Sequence, residues 1–95
     1  MIFMSRFEHV NGRPVEEQVE AWAQKFFFDT MQLLNAFFAQ LEDAADTCER
    51  LAAVPFDDMV REELEGEDEE SVAIATAVVR ELFAQELEFI KAYAE

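Results

Sequence analysis

From Pro14 to Val54 the chain runs through about forty residues with no glycine and no second proline. Nothing in that stretch stops a helix once it has started, so helix is the default conformation for nearly half of the protein. Its apolar residues recur with the matching period. Val15, Val19, Trp22 and Phe26 step by four, three and four, and Phe27, Met31, Leu34, Phe38, Leu41, Ala45, Cys48 and Ala52 then alternate steps of four and three. This is an amphipathic helix with a heptad-like seam. Beside the seam, Phe26, Leu33 and Phe37 widen the apolar face. Phe26, Phe27 and Phe28 alone spread over about 200° of helix, more than one neighbour covers.

Gly12, Pro14, Pro55 and Gly66 are the backbone punctuators of the chain. They predict an all-α protein: a long helix over about 14–53, a short one over about 55–65 and a C-terminal one over about 71–94, packed as a helical bundle. Residues 1–13 read as an extended or flexible arm before a single helical domain, 14–95. Asn11-Gly12 is a turn dipeptide, and Pro14 suits a first helical position because its missing N–H has no partner there. Pro55 both stops the long helix and opens the short one, whose apolar side is Phe56, Met59, Val60 and Leu64. Gly66 suits a helix stop, Glu67 to Glu70 an acidic linker, and Ser71 an N-cap for the last helix. In that helix Val72, Ala75, Val79, Leu82, Phe83, Leu87 and Ile90 share one face.

An unbroken helix of about 40 residues is about 60 Å long, whereas a compact chain of this length has a radius of gyration near 12 Å. Either the helix breaks, near Asp29-Thr30 or Asp43 to Asp46, or a second copy covers it. The aromatic load favours an antiparallel homodimer, with Trp22, Phe26, Phe27, Phe28, Met31, Leu34, Phe37 and Phe38 at the interface.

Charge is the second constraint. The formal net charge is −15, and residues 41–71 hold −11 of it. The acids are Glu42, Asp43, Asp46, Glu49, Asp57, Asp58, Glu62, Glu63, Glu65, Glu67, Asp68, Glu69 and Glu70, against Arg50 and Arg61. Such a pole repels the phosphates of nucleic acid and suits a basic protein surface, including one that itself binds nucleic acid. At the end of a long helix, Glu42, Asp43, Asp46 and Glu49 oppose the helix dipole, so local stability does not explain them. Solubility of a phenylalanine-rich chain would explain them. The functional expectation is a small non-enzymatic inhibitor whose acidic pole blocks a basic, nucleic-acid-binding site on a partner. Phage anti-CRISPR and DNA-mimic proteins are similar to it in size and charge, a likeness of class only. The alternative is a structural or chaperone-like adaptor binding through its aromatic stripe.

No catalytic residue, cofactor or metal is expected. Glu16, Glu17 and Glu20 match an acidic pattern that holds Mg²⁺ in helical nucleotide pyrophosphohydrolases, but Asp43 and Asp46 lie about 35 Å further along a continuous helix. His9 has no cysteine or histidine at ligand spacing, and Cys48 falls on the apolar seam. The single cysteine excludes an internal disulfide framework and fits a reducing, cytoplasmic compartment. No segment has the roughly 18-residue apolar run of a membrane span.

Overall fold

The computed structural model describes residues 5–38 and 44–94, the side chains of 37–38, 44–45 and 93–94 excepted. The elements in chain order are a two-stranded hairpin, β1 (His9–Val10) and β2 (Arg13–Pro14), followed by α1 (Glu16–Phe38), α2 (Ala44–Ala52), α3 (Phe56–Glu63) and α4 (Glu69–Ala94). All four helices fall in the class expected. Among the described residues no helix is long and apolar enough to cross a membrane.

The N-terminal arm is docked to the bundle. Asn11 and Gly12 both take positive φ, 55° and 77°. That is the combination a two-residue type I′ hairpin turn needs, because its twist matches that of the strands. His9 pairs with Pro14 and Val10 with Arg13, so Pro14 ends a strand and α1 starts at Glu16. Phe7, just ahead of the hairpin, is 6% exposed and belongs to the core. It meets Trp22 edge-on at 6.3 Å, while the Arg6 guanidinium lies 5.7 Å from the centre of the Trp22 ring. A periodic pattern needs several turns to register, and a single buried phenylalanine in an irregular segment leaves none.

The long helix expected over 14–53 is two elements, α1 and α2. A straight helix from Glu16 to Ala52 would measure about 55 Å, whereas the longest extent of the molecule is 49 Å. The organising element is α4, against which α1, α2 and α3 all pack. α1 and α4 run parallel: Arg13 reaches Glu70 just ahead of α1, and at the far end Asn35 and Phe89 line one groove. α3 runs the opposite way, with Asp57 beside Arg80 and Arg61 beside Glu69. At 23 and 26 residues, α1 and α4 are about 35 and 39 Å long. The length mismatch that called for a second copy is therefore gone.

The core takes one stripe from each helix. Val19, Ala23, Phe27 and Met31 come from α1, Leu51 from α2, Phe56, Val60 and Leu64 from α3, and Val72, Ala75 and Val79 from α4. Phe27 stacks on Phe56, and Phe83 tilts against the other side of that ring system at 5.4 Å.

Candidate functional site

The dimer surface expected on α1 is partly used within the chain. Phe27 and Met31 are 2% and 5% exposed, so the chain's own core already uses most of their surface. They sit where the i+4 stripe of α1 meets α3 and α4, which the heptad reading of a single long helix hid. Trp22, Phe26 and Leu34 are half-buried against the same core. Trp22 stacks on Phe26 at 5.2 Å beneath the docked arm. Phe28 remains exposed. Phe37 and Phe38 end α1, and their side chains lie outside the described residues.

The acids expected to form one pole divide into two groups. Glu42 and Asp43 lie outside the described residues. Asp46 stands in the first turn of α2, where the dipole favours an anion, the reverse of its placement at the end of a long helix.

Five of these acids make polar contacts within the chain, Asp68 and Glu69 while themselves exposed. Glu70 accepts from the Arg13 Nε at 3.0 Å, which ties β2 to the start of α4. Asp57 takes both oxygens to the Arg80 Nε, at 3.2 and 3.1 Å, joining α3 to α4. Glu67 accepts from the Ser5 hydroxyl at 3.0 Å and from the Arg6 N–H at 3.3 Å. Glu69 lies 3.9 Å from Arg61. Asp68 precedes the first residue of α4, accepts from the buried Ser71 hydroxyl and lies 3.5 Å from the His9 Nε2. α4 thus starts three residues earlier than a Ser71 cap implies, and Ser71 supports the true start from inside the first turn.

These contacts act on the carboxyls. The Ser71 hydroxyl lowers the Asp68 pKa, the Arg80 guanidinium lowers that of Asp57, and the Arg13 guanidinium lowers that of Glu70. Arg13 and Arg80 are raised in turn by their carboxylate partners.

The second group faces water. Asp58, Glu62, Glu63 and Glu65 of α3 and its following turn are exposed, as are Asp46 and Glu49 of α2. Asp58 and Glu62 stand four residues apart on one side of α3, and Glu65 follows in the turn just beyond its end. Glu63 has a different job at its backbone, where its carbonyl accepts from the Arg6 guanidinium at 2.9 Å. Among the described residues no three His, Cys, Asp or Glu side chains converge as a metal site requires. Cys48 is half-buried on α2.

No family model matches the chain, and neither a curated protein nor a solved structure is similar to it.

Proposed function

We propose that the protein is a small non-enzymatic binding protein that covers a basic, nucleic-acid-binding site on a partner protein. The observation that supports this reading most is the division of the acids. Arg13, Arg61, Arg80, His9 and Ser5 engage Glu70, Glu69, Asp57, Asp68 and Glu67, while Asp58 and Glu62 of α3 and Glu65 in the turn after it are exposed and form a row of acids. Three charges over about 10 Å stand about 5 Å apart, wider than but of the same order as the roughly 3.4 Å per charge along one nucleic-acid strand. They stand on and just beyond a short helix anchored by the buried Phe56, Val60 and Leu64, so the row is presented in a fixed geometry. Glu63 and Glu65 close a helix C-terminus, where an anion is locally unfavourable. A charge kept there against local stability has a use elsewhere, and a basic partner supplies one.

The test is a pull-down from cells that express the protein, eluted with rising salt and, in parallel, with duplex DNA. A partner engaged by the α3 row elutes at moderate salt and is displaced by DNA, since charge attraction across an interface is screened. Asp58→Lys, Glu62→Lys and Glu65→Lys together should abolish capture while leaving the helical circular dichroism unchanged. Capture that survives both salt and the triple reversal sinks the reading.

A further inference from the structure

Away from the acidic end, α1 and α4 leave a groove of about 550 Å³ between them. Leu82 and the edge of Phe27 form its floor, and Phe28 and Phe89 stand at its two sides. Those two phenylalanines are 60% and 67% exposed, whereas the other aromatic rings among the described side chains are buried or half-buried. The rim is unusual for this protein. In a sequence that is 31% charged, the α1 side of the groove carries the amides of Gln32 and Asn35, and Glu86 is the one ionised group in the lining. Exposed aromatic rings with few charges around them are the composition of an interface centre rather than of a solvated face.

The α4 side decides what fits. Gln85 lines the groove, and Glu81 and Glu88 stand four residues before and three after it, on the same line of the helix surface. Both are exposed. Glu86 lies in the lining itself, well round α4 from those two, so acids border the α4 wall on both edges, facing the neutral amides of α1. A second copy of this chain brings a net charge of −15 of its own and the same acidic border. A helix with lysines or arginines beside its apolar stripe brings the complement.

We infer that the groove between α1 and α4 is a docking site for one amphipathic helix of a basic partner. The lining runs from Phe27 to Asn35 on α1 and from Leu82 to Phe89 on α4, about 10–12 Å, which accommodates about two helical turns. The bound helix inserts apolar side chains at i, i+3 or i+4 and i+7 between Phe28 and Phe89, and sets its basic residues against Glu81, Glu86 and Glu88. This site is separate from the carboxylate row of α3 and does not depend on it.

The probe is a fluorescein-labelled peptide of about 18 residues with leucines at that spacing and lysines on the flanking positions. Its control has the same composition in scrambled order. Anisotropy titration should give a Kd on the order of 10 μM for the patterned peptide at low salt, and amide shift mapping should place it at Gln32, Asn35, Gln85 and Phe89. Phe28→Ser with Phe89→Ser should weaken it about tenfold or more. Both residues are exposed, so the variant keeps its fold. Glu81→Gln, Glu86→Gln and Glu88→Gln should also weaken binding, and should flatten its salt dependence. Asp58→Gln, Glu62→Gln and Glu65→Gln remove the same charge from α3 and should change it little. This last comparison separates failure of the groove from failure of the α3 row. Equal binding by the scrambled peptide, equal effects of the two glutamine triples, or a solution mass of two chains with the groove residues at the contact would each overturn the inference.

Discussion

Phe27 of α1 and Phe56 of α3 lie face to face, ring centres 5.4 Å apart and planes 10° from parallel. Phe83 of α4 closes the group against Phe56. Three helices thus meet at one aromatic knot in the middle of the bundle. Truncation of Phe56 leaves a cavity that no single helix can collapse to fill, because the other two rings are fixed from α1 and α4. Phe56→Ala should cost about 3–4 kcal/mol in urea unfolding. Phe28→Ala, one position from Phe27 but exposed, should stay within about 0.5 kcal/mol. Similar losses at both positions would mean that the knot is not where the stability lies.

The hairpin turn makes a second, sharper prediction. Gly12 has φ of +77°, and a Cβ placed there meets nothing within 4 Å. Any penalty at this position is therefore backbone strain alone. Gly12→Ala should cost about 1 kcal/mol, and Gly12→Asn less, because asparagine tolerates the left-handed region. The readout is the single tryptophan. Trp22 lies under Phe7 and Arg6, so release of the arm exposes it and shifts its emission to the red.

How much of this was legible depended on regularity. α3 and α4 announce themselves, since Phe56, Val60 and Leu64 and then Val72, Ala75 and Val79 recur at helical spacing and are all buried. α1 was legible as a helix but not in its extent, because no glycine or proline marks where it ends. Its buried face was also misread by one line: Ala23 completes the stripe of Val19, Phe27 and Met31, and a small side chain among large aromatics gives little signal. The concentration of acids was plain from composition. Which acids turn inward was not, because Arg13 and Arg80, the partners that decide it, lie 57 and 23 residues away from Glu70 and Asp57. A long-range pair leaves no local pattern.

Those pairs fix the acid limb of stability. Asp57, Asp68 and Glu70 all have pKa values below the ordinary 3.8 for Asp and 4.5 for Glu. Each therefore binds a proton more readily in the unfolded chain. Their contribution is fully present above the unfolded values and is lost as pH falls through the lower folded ones. The urea midpoint should fall steadily below about pH 4. Asp57→Asn should be less stable than the parent at pH 7, and the gap should narrow as pH falls below about 4. A gap that stays constant with pH would show that Asp57 acts through packing and not through charge.

Salt should act in the opposite sense at neutral pH. Among the described residues, four ion pairs of arginine or lysine lie at exposed positions, where such pairs contribute little, and screening removes that. The net charge of −15 sets many more like-charged neighbours against one another, and screening relieves them. Repulsion is the larger sum, so raising NaCl from about 0.05 to 0.5 M, which shortens the screening length from about 14 to 4 Å, should raise the melting temperature by a few degrees. A fall would mean that the internal ion pairs outweigh the repulsion.

The exposed acids at the end of α3 offer the clearest separation of stability from use. Glu62 and Glu63 stand in the last turn of a helix that ends at Glu63, where the unsatisfied carbonyls carry partial negative charge. Glu62 is exposed, so replacing it opens no cavity. Glu62→Gln should stabilise the fold by about 0.3–1 kcal/mol, and Glu62→Lys by somewhat more, since a cation there complements the dipole. The same change removes the central carboxylate of the Asp58, Glu62 and Glu65 row. If that row grips a basic partner, the stabilised variant should bind it more weakly and with a shallower dependence on salt. A variant that gains stability and keeps its full affinity would reduce these acids to a solubilising face.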